Sequence, residues 1–224
     1  MNKRNKKVSV GIVGVGHLGK HHVKHLTAMD NVECVGFYDI DEARATVISD
    51  KYNVKSYDSL EALLIDCDAV TIVTPTDTHF NVASDCLTAG KHVFIEKPIT
   101  KSVAEAEQLL TLANTNEVLI QVGHIERLNP ALVPLKNYSI SPKYIEIQRL
   151  APYDVRGTDV PVVLDKMIHD IDILLFLVNS EVESIDANGI SILTDSIDIA
   201  NARIRFKNGT IANLTSSRVA QDHV

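Results

Sequence analysis

Three glycines, Gly14, Gly16 and Gly19, stand directly after the apolar run from Val8 to Val13. G-x-G-x-x-G between an apolar run and a helical pattern serves one chemical need, the close approach of main chain to a diphosphate. Gly14 allows a tight turn, Gly16 lets the backbone reach the phosphates, and Gly19 lets the helix pack closely on the strand. A helix beginning there offers unpaired N–H groups and its positive dipole end to negative charge. Asp39 lies twenty residues beyond Gly19, after a second apolar run from Val32 to Tyr38. A carboxylate so placed accepts hydrogen bonds from both adenosine ribose hydroxyls of a dinucleotide and repels an extra ribose phosphate. Asp41 adds negative charge, and no Arg or Lys lies between Asp39 and Ala43. The pattern points to NAD, with NADP disfavoured. His17 and Leu18 occupy the variable positions of the turn, and His17 is expected near the phosphates.

A second set of residues suits proton and charge transfer. Asp165, His169 and Asp172 recur at i, i+4 and i+7, which stacks them on one face of a helix. A histidine flanked by carboxylates can be held in one tautomer and made basic enough to take a proton from an alcohol. The same spacing also describes a solvated polar face. Lys97, in Glu96-Lys97-Pro98, follows an apolar strand pattern at the C-terminal edge of a sheet, where open α/β sheets bind ligands. A lysine there can donate to a carbonyl or developing alkoxide oxygen; the other reading is a surface lysine in a turn.

The elements that must position these residues alternate through the first half. Strands are expected at Val8–Val13, Val32–Tyr38, weakly at Lys55–Tyr57, then Ala69–Val73, His92–Ile95 and Val118–Val122. Helices are expected at about His17–Met29, Asp41–Tyr52, Leu60–Ile65, Asn81–Ala89 and from Ser102 to Asn114, with Ser102 and Glu105 as a capping box. Such alternation describes a doubly wound parallel sheet, and it places a first domain at residues 1–122. Residues 123–224 read as α+β with an open, mainly antiparallel sheet. A strand is expected at Lys143–Leu150, and a long helix from about Val160 to Asn179 buries Leu164, Ile168, Ile171, Leu175 and Val178. A hairpin turns at Asn208-Gly209.

Composition narrows the class. With 45% hydrophobic residues and a net charge of −7, the 224-residue chain suits a soluble protein with a real core and argues against a nucleic acid partner. The basic cluster Lys3, Arg4, Lys6 and Lys7 precedes an apolar run too short and too glycine-rich for an export signal, and no run is long enough to span a bilayer. Cys34, Cys67 and Cys86 lack C-x-x-C spacing and fit reduced thiols in the cytoplasm. His17, His21, His22 and His25 cluster on the first helix, but no Cys or Glu completes a ligand set, so no metal is expected.

GVGHLG, Asp39, Thr74-Pro75 with His79, Glu96-Lys97-Pro98 and Asp165-Lys166-Met167-Ile168-His169-Asp170, in that order, resemble the glucose-fructose oxidoreductase, inositol dehydrogenase and rhizopine catabolism family of NAD(P)-dependent oxidoreductases. The resemblance implies a Rossmann domain, then a domain whose open sheet serves homo-oligomerisation, with a sugar substrate between them. It implies Lys97, Asp165 and His169 as the catalytic set, with His169 as base, Lys97 polarising the oxygen and Asp165 orienting the site. Thr74, Pro75, His79 and Glu96 would line the cofactor cleft, and Lys97-Pro98 would be cis. Members are usually longer, so the resemblance implies an incomplete second domain. GHIERLNPA, residues 123–131, with MIHDID resembles the branch acting on UDP-linked N-acetylamino sugars at C3. There Arg127 would pair with a diphosphate or carboxylate and Asn129 with a sugar hydroxyl. Arg149 and Arg156 are further candidates for an anionic substrate. An inositol or free-sugar dehydrogenase and a non-catalytic NAD(P)-binding regulator are the alternatives.

Overall fold

A computed structural model describes residues 7–154, 158 and 160–223, in two compact units, 1–123 and 124–224. In the first, the apolar runs form strands Val8–Val13 (β1), Val32–Tyr38 (β2), Ala69–Ile72 (β3), His92–Ile95 (β4) and Ile120–Val122 (β5). They make one five-stranded sheet in the order β2-β1-β3-β4-β5, and every pairing is parallel. Five helices connect them: Gly19–Thr27 (α1), Glu42–Tyr52 (α2), Leu60–Asp66 (α3), His79–Thr88 (α4) and Val103–Thr115 (α5). Alternate strand residues point to opposite faces, so both faces need cover. Ile12 and Phe37 pack with Val23 of α1 and Ala45 and Ile48 of α2. Val13, Val70, Ile72, Val93 and Ile95 pack with α3, α4 and α5 through Leu63, Leu87 and Leu109.

Local chemistry starts three of these helices. The Asp41 carboxylate accepts from the Arg44 amide, the Ser59 hydroxyl from the Ala62 amide, and Ser102 with Glu105 forms a complete capping box. The strand expected at Lys55–Tyr57 does not form. That segment makes only an isolated bridge, Phe37 to Ser56, with two main-chain bonds to Phe37. The chain turns at once into α3 at its Ser59 cap, leaving no length for a ladder.

The second unit opens with 3₁₀ turns at Ile125–Leu128 and Val133–Asn137. Strands Tyr144–Leu150 (β6), Val182–Ile190 (β7), Ile199–Phe206 (β8) and Ile211–Ser217 (β9) then form a sheet in the order β6-β9-β8-β7. β7-β8 and β8-β9 are antiparallel, whereas β6 runs parallel to β9. The turn between β8 and β9 falls at Asn208-Gly209, where Gly209 has a φ of +86°. β7 is a strand that hydrophobic pattern does not reveal, since all nine of its residues are exposed.

The long helix is shorter than expected and begins differently. A π-helical turn, Val163–Met167, leads into the α-helix Ile168–Val178 (α6). Its buried stripe also differs. Met167, Leu174 and Val178 face the sheet residues Ala202, Ile204, Phe206 and Leu214, while Leu175 is 47% exposed. Ile168, Ile171 and Ile173–Val178 are apolar around most of the helix circumference, so periodicity alone could not select a face. Two buried carboxylates on the same helix, described below, take part in selecting it.

Candidate active site

The glycine turn has the geometry its spacing requires. Gly14 adopts φ +86°, and its amide donates to the Tyr38 carbonyl at 2.9 Å. A Cβ at Gly19 would lie 2.0 Å from the Gly14 carbonyl oxygen, so only glycine permits this helix-to-turn contact, whereas a Cβ at Gly16 would meet nothing within 4 Å. Gly16 is therefore the open position of the turn. Leu18, at the N-cap of α1, supplies no capping side chain, and the amides of Lys20 and His21 donate to the Gly16 and Leu18 carbonyls at 3.3 and 2.8 Å. His17 and Leu18 are both exposed beside it.

Asp39 is 9% exposed at the end of β2. One carboxylate oxygen accepts from the Val15 amide at 2.7 Å and the other from the Asp41 amide at 2.9 Å, which ties Asp39 to the glycine turn. Its charge is not alone. Arg44, just beyond the stretch from Asp39 to Ala43, folds back so that its guanidinium lies 3.1 and 3.3 Å from Asp39 and 3.0 Å from Asp41. Reading the segment only as far as Ala43 misses this cation. The signal available was the helical spacing from the Asp41 cap to the third residue of α2.

Thr74 and Pro75 follow β3. The Thr78 hydroxyl donates to the Thr74 hydroxyl at 2.8 Å. His79 is 1% exposed, and its ring nitrogens lie 2.9 Å from the carbonyl oxygens of Thr74 and Pro98. It braces the loop after β3 against the loop after β4. The Lys97-Pro98 bond is cis. Glu96 sits at the end of β4, and one of its oxygens lies 3.2 Å from His22 Nε2. Burial pushes the Glu96 carboxyl up, but hydrogen bonds from His22 and the Lys97 amide, with the Lys97 charge, outweigh it and leave the group below its ordinary value.

In the second unit Asp165 lies inside the π turn and His169 is the second residue of α6; both are partly buried. The Lys166 ammonium stands 3.4 Å from Asp165. Asp172, expected to flank His169, has both oxygens engaged by Arg127 in a two-pronged pair at 2.5 and 2.7 Å, with His124 at 3.9 Å. Arg149 likewise grips the buried Asp170 through contacts of 2.7 to 3.1 Å. Two arginines expected to meet an anionic substrate thus hold carboxylates of their own chain, and each is pushed up in pKa chiefly by that hydrogen bond. Asn129 is committed locally, donating to Glu126 and accepting from the Ala131 amide. Arg156 lies outside the described residues. Asp170, the partner of Arg149, was legible only as an acid in an apolar helix, a position that demands a cation.

Among the described residues, no group of three His, Cys, Asp or Glu could hold a metal, and no helix is long and apolar enough to cross a membrane.

A doubly covered parallel sheet with an uncapped glycine turn and a buried acid at the end of β2 defines a dinucleotide-binding protein of the Rossmann class. The model of the oxidoreductase family with an NAD-binding Rossmann fold matches residues 8–124, and the C-terminal domain model of the same family matches residues 153–224. The chain belongs to the GFO/IDH/MocA family of oxidoreductases. It is 39% identical over 213 residues to the UDP-N-acetylglucosamine 3-dehydrogenase of Acidithiobacillus ferrooxidans, covering 95% of this chain and 67% of that protein. A solved structure of that enzyme, GnnA, superposes with a TM-score of 0.90 at 38% identity, covering 97% of this chain and 69% of the other. The myo-inositol 2-dehydrogenase of Thermotoga maritima is 29% identical over 230 residues, which are 94% of this chain and 69% of that protein.

Proposed function

We propose that the protein oxidises the C3 hydroxyl of a UDP-linked N-acetylamino sugar, with NAD as the cofactor, in a reducing cytoplasm. The observation that carries the substrate is the 39% identity, over 95% of the chain, to a relative named UDP-N-acetylglucosamine 3-dehydrogenase. For the cofactor it is Asp39, whose two oxygens are oriented by main-chain amides. The residues fit the cofactor: Gly16, where a Cβ would meet nothing, and the start of α1 take the diphosphate, and Asp39 takes the ribose hydroxyls. When bound, the nicotinamide supplies the hydride acceptor.

The chain's own groups do the rest. His169 takes the hydroxyl proton, Lys97 donates to the oxygen as charge develops on it, and Asp165 orients the substrate. Asp165 and His169 work from a π turn and the helix start that follows it, an arrangement that places side chains an unbroken α-helix could not.

An inositol or free-sugar dehydrogenase is the second reading. One observation favours it: Arg127 and Arg149, the cations expected for a diphosphate, are held by Asp172 and Asp170. NADH absorbance on mixing the protein and NAD with UDP-N-acetylglucosamine, its uronic acid relative, myo-inositol and glucose decides between them. Turnover confined to the UDP-sugars supports the proposal; turnover confined to inositol or glucose replaces it with the second reading.

A further inference from the structure

Of the three histidines on α1, His21 and His25 are exposed and His22 turns inward. Its ring bridges two strands. Nδ1 lies 3.0 Å from the Thr71 hydroxyl on β3 and Nε2 lies 3.2 Å from Glu96 at the end of β4, while the ring leans against Phe94 at 5.9 Å between centroids. The Glu96 carboxylate is held on further sides. It packs so near Gly123 that a Cβ there would come within 3.0 Å of it, and Lys97 is the next residue in the chain. The Glu96 amide in turn donates to the Ile72 carbonyl at 3.1 Å.

This is a connected path from the helix that follows the glycine turn to Glu96, the residue that directly precedes Lys97. A carboxylate at the end of a strand needs an anchor to stay in one rotamer; without one it rotates toward water and leaves the chain beside it less constrained. Here the anchor is an imidazole, which can serve a hydroxyl and a carboxylate at once from its two nitrogens.

We propose that His22 is a positioning residue. By fixing Glu96, it holds the main chain of Lys97 and sets where the Lys97 ammonium stands relative to a cofactor gripped at the start of α1. The inference rests on the role given to Lys97 above, so its test has one arm that requires turnover and one that does not.

The variants are His22→Phe, which keeps a ring and removes both bonds, His22→Gln, whose amide can donate to Glu96 and accept from Thr71, and Glu96→Gln. Steady-state rates are measured with NAD and UDP-N-acetylglucosamine, and NADH affinity by fluorescence. Separately, acetylation of Lys97 by acetic anhydride is measured against Lys51 by peptide mass spectrometry. For His22→Phe the expected result is a kcat loss of roughly tenfold or more, a sugar KM and NADH Kd within about threefold of the parent, and Lys97 labelling changed by at least about threefold. His22→Gln should recover most of both.

A folded His22→Phe with parental kcat and parental labelling overturns the proposal. So does His22→Gln as impaired as His22→Phe, because that pattern marks ring packing instead of hydrogen bonding. If the parent turns over no sugar, the functional reading falls while the labelling arm still decides on His22. If His22→Phe does not fold, Glu96→Gln decides: altered Lys97 labelling supports the proposal, and unaltered labelling overturns it.

Discussion

Arg44 faces Asp39, the carboxylate proposed to set cofactor choice. Asp39 alone would repel a ribose phosphate, but a half-exposed guanidinium paired to it can swing to meet that phosphate. Arg44→Gln should therefore raise the NADPH Kd by about tenfold, an effect of ~1.4 kcal/mol, while the NADH Kd changes much less. Fluorescence titration measures both, and an unchanged ratio would remove Arg44 from cofactor choice. Asp39→Ser should move the ratio the other way, by weakening NADH binding more than NADPH binding. Asp198 makes a different prediction. Burial raises its pKa, but the amides of Ile192 and Thr194, the Thr194 hydroxyl and the Arg218 guanidinium more than offset this and hold it well below the usual carboxylate range. A depressed folded pKa contributes stability that is complete above the unfolded value of about 4 and is lost as pH falls from there toward the folded value. Urea unfolding of Asp198→Asn should accordingly show lower stability at neutral pH and a flatter decline in acid than the parent.

At the level of elements, α6 carries the information that hydrophobic pattern could not. Leu174 is fully buried and Leu175 is 47% exposed, although either could occupy the core stripe by spacing. Leu174→Ala should cost about 2–5 kcal/mol by denaturant unfolding, and Leu175→Ala within roughly 0.5 kcal/mol. Similar losses from both would show that the helix face has been misassigned. The helix is turned in part by Asp170 and Asp172, each of which must reach an arginine from β6 or from the turn at Ile125–Leu128. β7 carries no hydrophobic pattern at all. It buries none of its side chains and includes Asp186, Asn188 and Gly189, residues poor in strand propensity, so only its ladder to β8 makes it a strand.

On the scale of the molecule, each unit has its own core. Residues 1–123 expressed alone should fold and bind NADH, seen as fluorescence quenching with an upward shift in unfolding temperature, since a ligand held at 100 times its Kd adds about 2.7 kcal/mol. An unfolded fragment would show that the parallel sheet needs the second unit. The homo-oligomer implied by the resemblance is a prediction about the second sheet, whose outer strand exposes Ile185 and Ile190. Light scattering should report a multimer that Ile185→Lys dissociates, and a parent that is monomeric at all concentrations would end that expectation.

The residues proposed to recognise a dinucleotide were legible in the chain because each rule there is local. A glycine turn, a helix start and an acid at a strand end are set by backbone sterics and by spacing within forty residues. The capping residues Asp41, Ser59 and Ser102 and the Asn208-Gly209 turn are local in the same sense. Tertiary structure decided what depends on partners far along the chain. Arg127 and Arg149 belong to Asp172 and Asp170, His22 belongs to Thr71 and Glu96, and α6 turns Leu174 inward instead of Leu175. A buried charge or imidazole takes whichever partner the fold brings within about 3 Å, and separations of 21 to 74 residues carry no periodic signal from which that partner could be read.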